Sequence, residues 1–129
     1  DIVASKIDNQ IRLAAVISLG LIGDNTSIVV LKNALDDEEA NIRWDAAISL
    51  SKIGDKSGYA VINNLLDRNY YNSFTQVDSN EINSAILTVL ALISNKNDKR
   101  FEDNLKKLST SDKNLKIREF AMKIVAKYY

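Results

Sequence analysis

A chain of 129 residues without cysteine, histidine or proline can hold no disulfide and no thiolate metal site, and it lacks the commonest general base and the commonest metal ligand. Its 17 basic and 17 acidic residues cancel, which argues against a general nucleic-acid binder, because phosphate neutralisation demands a basic surface. The balance shifts along the chain, with seven basic against twelve acidic residues up to Asn95, or −5, and ten against five from Lys96, or +5.

Ile2, Val3 and Ile7 read as the last turns of a helix that starts ahead of Asp1, so the sequence is expected to be cut from a longer array. A helix is predicted from about Asn9 to Ile22, with Asp8 or Asn9 as its cap and Gly23 as its stop. Within it, Ile11 and Arg12 are followed by Ala15, Leu19 and Ile22, then Gly23 and Asp24. Offsets 0, 4, 8 and 11 from Ile11 recur on one face of a 3.6-residue helix, and that face is expected to be buried. The next stretch, DNTSIVVLKNALDD, predicts an antiparallel partner helix capped by Asn25 or Thr26, with Ile28, Leu31 and Leu35 inward. The acidic run Asp36 to Glu39 precedes another helix start, where negative charge favours the helix dipole. A metal reading of those four residues would need their oxygens to converge on one ion.

The same scheme returns 31 residues later. Ile42, Arg43, Ala46, Leu50, Ile53, Gly54 and Asp55 occupy the offsets of the first copy, and a partner helix is predicted from about Ser57 to Asp67 with Tyr59, Ile62, Leu65 and Leu66 inward. Nine extra residues then interrupt the spacing, in RNYYNSFTQVDS. Tyr70, Tyr71 and Phe74 in this segment either fold back over the gap that a longer loop opens or meet a partner, since large aromatics are enriched at interface hot spots. A third copy places Ile82, Ile86, Leu90 and Ile93 at the repeat offsets. Its first helix is capped near Asp78 with Glu81 three residues on, and it is apolar enough to be expected at the centre of the fold. Its partner, about Asp98 to Leu108, should bury Phe101, Leu105 and Leu108. A fourth first helix, about Asp112 to Lys127, carries Ile117, Ala121, Val125 and Tyr128 at the same offsets. Arginine recurs at Arg118 but is Asn83 in copy three.

Self-similarity at 31 to 40 residues implies stacked supersecondary units, none able to bury its apolar face alone. The fold class expected is all-α, a right-handed α-solenoid of about three and a half antiparallel helix pairs. It forms one domain over 1–129, with repeats at about 8–37, 38–78, 79–110 and 111–129. These units resemble HEAT-like repeats, the short bacterial type also found in phycocyanobilin lyase subunits, whose pattern is roughly Val-Arg, two alanines, Ala-Leu-Gly, Ile-Gly-Asp and a second helix ending Ala-Leu-x-Asp. Copy one carries it through Ile11, Arg12, Ala15, Leu19, Gly20, Ile22, Gly23, Asp24, Ile28, Leu31, Ala34, Leu35 and Asp36. Copy two carries it through Ile42, Arg43, Ala46, Ala47, Leu50, Ile53, Gly54, Asp55, Ile62, Leu65, Leu66 and Asp67. The resemblance implies a structural ladder in which Arg12, Arg43, Asp24 and Asp55 satisfy buried backbone groups and one another. Joint replacement by Asn83 and Asn95 in copy three fits a paired role.

Offsets 2, 3 and 6 are expected on the outer face. There Leu13 and Ile17, with Leu21 one turn beyond, would merge with Trp44 and Ile48 into one apolar patch. The alternative is that Trp44 fills a packing gap between the first helices of copies one and two. The mixed inner face around Asn33 and Asn64 could hold an extended peptide. Without histidine or cysteine, catalysis would fall to carboxylate, lysine or tyrosine groups, and no carboxylate pair falls on a shared helical face inside a predicted cleft. The function expected is therefore a non-catalytic protein–protein interaction scaffold with no cofactor and no metal, whose partner is another protein or peptide. No run of about 18 apolar residues is present to span a membrane. Two alternatives stand beside it. One is an assisting subunit of a lyase or a chaperone-type assembly factor, as the resemblance implies. The other is weak phosphate or nucleic-acid contact through Lys96 to Lys127. The compartment is unknown, with the cytoplasm favoured.

Overall fold

The computed structural model describes the backbone from Ile2 to Tyr129 and the side chains from Asp8 onward. Among the described residues there are helices and turns and no strand. The helices are α1 (Ile2–Ile22), α2 (Asn25–Ala34), α3 (Ala40–Lys52), α4 (Tyr59–Leu65), α5 (Ser79–Ile93), α6 (Glu102–Ser111) and α7 (Leu115–Tyr128). Short 3-10 turns cover Lys56–Gly58, Arg68–Ser73 and Lys99–Phe101. The chain divides into two compact units, Asp1–Val61 and Ile62–Tyr129.

Helix boundaries follow from local chemistry. Gly23 and Gly54 sit at φ 66° and 84°, in the left-handed region that terminates a helix at little cost only for glycine. The aspartate after each of them then opens the next element. Asp24 accepts from the Ser27 amide and Asp55 from the Ser57 amide, both at 2.8 Å, so the cap of α2 is Asp24 and not the expected Asn25 or Thr26. Asp78 caps α5 through the Glu81 amide as expected. Asn114 caps α7, which starts three residues later than the Asp112 start read from the sequence. The expected cap at Asp8 or Asn9 is absent because α1 runs unbroken through both. Asp8 instead pairs with Arg12 one turn on, an i,i+4 arrangement that supports a continuing helix. The side chains of Ile2, Val3 and Ile7 lie outside the described residues.

In the first unit, Val16, Leu31, Ile42, Ala46 and Leu50 form a buried cluster, with Leu13, Leu19, Ile28, Ala34, Leu35 and Ile53 packed around it. Copy two obeys the expected face, since Ile42, Ala46 and Leu50 are all buried. Copy one does not. Ile11 and Ile22 are each 64% exposed and Ala15 is exposed, while Leu13, Val16 and Gly20 turn toward α3. The reason is one of neighbours: α3 packs its repeat face onto α1 and α2, whereas the matching face of α1 has no helix against it among the described residues. Close approach of α1 and α3 depends on Gly20, where an added Cβ would fall 2.4 Å from the Ser49 Oγ.

In the second unit, α5 buries Ile86, Val89, Leu90 and Ile93 but keeps Ser84, Thr88 and Ala91 exposed, so it retains an open side. Helices α6 and α7 bury Phe101, Leu105, Leu108, Ile117, Ala121 and Ile124. Tyr129 closes this packing. Its hydroxyl donates to the Asp98 carbonyl at 2.6 Å and accepts from the Asp98 amide at 3.1 Å.

Candidate functional site

The charged residues of the repeat arrange themselves at the turn between one helix pair and the next. Arg12 Nε and Nη2 each lie 3.2 Å from the two carboxylate oxygens of Asp37. The Asp37 carboxylate also accepts from the Glu39 amide at 2.9 Å, and its carbonyl accepts from Arg43 Nη1 at 2.8 Å. One aspartate therefore joins two successive repeat arginines. Burial alone would raise the Asp37 pKa, but the Glu39 amide and the Arg12 guanidinium outweigh it and hold the carboxyl below its ordinary value.

The second unit repeats this arrangement with one substitution. Asp112, like Asp37, lies five residues ahead of the repeat isoleucine, and its carbonyl accepts from Arg118 Nη1 at 3.0 Å. Its carboxylate accepts from the Asn114 amide at 3.0 Å. The repeat position that would supply the second arginine is Asn83, and Arg68 from the inserted segment takes over. Arg68 Nε and Nη2 reach the Asp112 carboxylate at 2.7 and 3.0 Å, and Nη2 also donates to Asn83 Oδ1 at 2.8 Å. The Asp112 side chain is 2% exposed. Burial pushes its pKa up, and the Arg68 and Asn114 hydrogen bonds overcome that and hold it below the ordinary value.

The expected ladder thus separates into two systems. Arg12 and Arg43 do satisfy an acidic group and backbone carbonyls, but at Asp37 and Glu38, whereas Asp24 and Asp55 cap helices and Asp55 pairs with Lys32 at 3.7 Å. Asp37, Arg68 and Asp112 escaped the sequence reading. The shared position of Asp37 and Asp112 ahead of Ile42 and Ile117 was the available signal.

The proposed surface residues also divide. Leu13 packs against the core cluster, because α1 is rotated relative to the predicted phase. Ile17 is 47% and Leu21 83% exposed on α1, while Trp44 and Ile48 on α3 are half-buried. In the inserted segment Tyr71 is buried, and its hydroxyl donates to the Leu65 carbonyl at 2.7 Å, so it belongs to the core and not to the surface. Burial raises its pKa well above the ordinary phenol value. Tyr70 and Phe74 are half-buried, with the Tyr70 ring centroid 5.7 Å from Tyr71 and 5.2 Å from Phe74.

A cleft of about 220 Å³ in the second unit is lined by Leu66, Arg68, Asn104, Lys107, Leu108 and Asp112, among others. Within it Arg68 pairs with Asp112 and Lys107 with Asp67 at 3.9 Å. Among the described residues no group of three or more acidic side chains could hold a metal ion. No helix among them is long and apolar enough to cross a membrane.

Comparison with known proteins agrees with this architecture. The profile of the family described as HEAT repeats matches residues 2–72, more than half of the chain, and HEAT repeats generally mediate protein–protein interaction. No curated protein and no solved structure matches.

Proposed function

The chain belongs to the HEAT-repeat family, and from that premise we propose that it is a non-catalytic protein–protein interaction scaffold whose contact surface centres on α1 and α3. The observation that carries this reading is the exposure of Ile17 and Leu21, one turn apart on α1, in the same unit as the half-buried Trp44 and Ile48. Large apolar side chains left in water on one helix mark interaction surfaces. Tryptophan is among the residue types that dominate binding energy at such surfaces. Tyr70 and Phe74 form a second, smaller group of aromatics in the inserted segment.

The charged groups support a structural role over a chemical one. Arg12, Arg43, Arg68 and Arg118 are engaged with aspartates or carbonyls, and Asp37 and Asp112, which face Arg12 and Arg68, are held below the ordinary carboxylate value. Catalysis would call for titratable groups poised near neutrality.

The test is capture of binding proteins with the chain as bait. Ile17→Ser/Leu21→Ser should abolish capture while leaving the melting temperature nearly unchanged. Capture that persists through this change and through Trp44→Ser would overturn the assignment of the surface.

A further inference from the structure

The copies of the repeat allow the turn after the second helix to be compared. Copy one reads Leu35, Asp36, Asp37 and Glu38 there, and copy two, 31 residues later, reads Leu66, Asp67, Arg68 and Asn69. Three carboxylates in the first turn have become one carboxylate and one guanidinium in the second. That second turn lines the 220 Å³ cleft from one side. Asn104, Lys107, Leu108 and Ser111, which share a face of α6 by their spacing, line it from the other, and Asp112 and Lys113 complete it. The cleft lies wholly within the second unit.

Its charged lining is three cations against two carboxylates. Asp112 is buried and bonded to Arg68, and Asp67 pairs with Lys107. Both carboxylates are thereby taken, and Lys113, which is exposed, is left in excess. The Arg68 bonds to Asp112 and Asn83 use Nε and Nη2, so Nη1 is uncommitted among the described residues. Leu66 and Leu108, both buried, supply an apolar base against which a short methylene stem can lie. A volume of about 220 Å³ falls below the roughly 300 Å³ at which pockets begin to enclose small molecules. It suits a single side chain.

We propose that this cleft seats an aspartate or glutamate side chain of a partner peptide, with the stem over Leu66 and Leu108 and the carboxylate between Lys107 and Lys113. One excess positive charge in a small volume matches one carboxylate. A nucleic-acid backbone asks for a basic track, which Asp67 interrupts here. The attraction is partly exposed to water and therefore weakens with added salt. The site shares no residue with the surface around Ile17 and Leu21, and it goes beyond the scaffold reading by naming the chemistry of a second contact.

Fluorescence anisotropy of a fluorescein-labelled hexaglutamate peptide in low salt, titrated with the full chain against its hexaglutamine counterpart, tests the proposal. Hexaglutamate should bind and hexaglutamine should not. Lys107→Gln/Lys113→Gln should weaken binding about fivefold or more, the scale of two partly exposed ion pairs. Lys116→Gln/Lys123→Gln removes the same charge from exposed positions of α7 and should leave binding nearly unchanged. Asp67→Asn removes the competing carboxylate, keeps an acceptor for the Asn69 amide, and should tighten binding. Absence of hexaglutamate binding at high micromolar protein overturns the proposal. So does equal loss in the two lysine pairs, which is the response of a diffuse basic surface. Displacement of the peptide by oligothymidylate at lower concentration than by unlabelled hexaglutamate overturns it as well, because the ligand would then be a phosphate backbone. Ile17→Ser/Leu21→Ser leaves the cleft intact, so loss of capture there and loss of peptide binding here are separate results.

Discussion

Arg68 and Asp112, 44 residues apart in sequence, make the same two-point contact in the second unit that Arg12 and Asp37 make in the first. The donor has moved from a helix to an insertion, yet the acceptor, its capped amide and the following arginine keep their places. Replacing Arg68 by alanine leaves the Asp112 carboxylate buried without its counter-charge, which costs about 3 kcal/mol. Urea unfolding should register that loss. The double variant Arg68→Ala/Asn83→Arg, which returns the arginine to its repeat position, should recover more than half of it.

Acid should unfold the protein partly through this pair. The Asp112 pKa is depressed in the folded chain, so its contribution is present above the ordinary carboxylate value, about 3.9 in the unfolded state, and is lost as pH falls through the folded value. Asp37 behaves likewise. Stability measured against pH should decline below about pH 4, and Arg68→Ala should make that decline shallower because the Asp112 share is already gone.

Tyr71 is held by a buried hydrogen bond. Tyr71→Phe removes the donor to the Leu65 carbonyl and should cost about 1–3 kcal/mol, the range for leaving a buried polar group unsatisfied. Because burial raises the Tyr71 pKa, its stabilisation is present below the ordinary phenol value and is lost as pH rises through the folded value. Unfolding above about pH 10 should therefore be steeper in wild type than in Tyr71→Phe.

At Gly20 the test is steric. Alanine there would place its Cβ 2.4 Å from the Ser49 Oγ and 2.5 Å from its Cβ, forcing α1 away from α3 at a cost of about 1–3 kcal/mol. Thermal unfolding should show the loss in Gly20→Ala, and Ser49→Gly in the same chain should restore part of it.

The helical repeat was legible because Ile42, Ala46, Leu50, Gly54 and Asp55 restate Ile11, Ala15, Leu19, Gly23 and Asp24 without a gap, and pattern of this kind reports what each helix could bury. It does not report what is there to bury it. Ile42 and Ile11 are the same residue in the same register, and only the neighbour differs, so α1 turned Leu13 inward and left Ile11 in water. Leu13 consequently dropped out of the expected surface patch, and Ile17 and Leu21 remained in it. Tyr71 could not be separated from Tyr70 by residue type, since the distinction lies in how deeply each ring is buried. Arg68 was hidden for a related reason: an insertion has no counterpart in the other copies, so no alignment of repeats can assign it a role.

Tyr129, at the end of α7, has authority over a peptide group 31 positions earlier. An amide whose acceptor is that phenol can exchange with deuterated solvent only when the ring lets go. The Asp98 N–H is therefore a reporter of fraying in the last turn of α7, readable without any label on that helix.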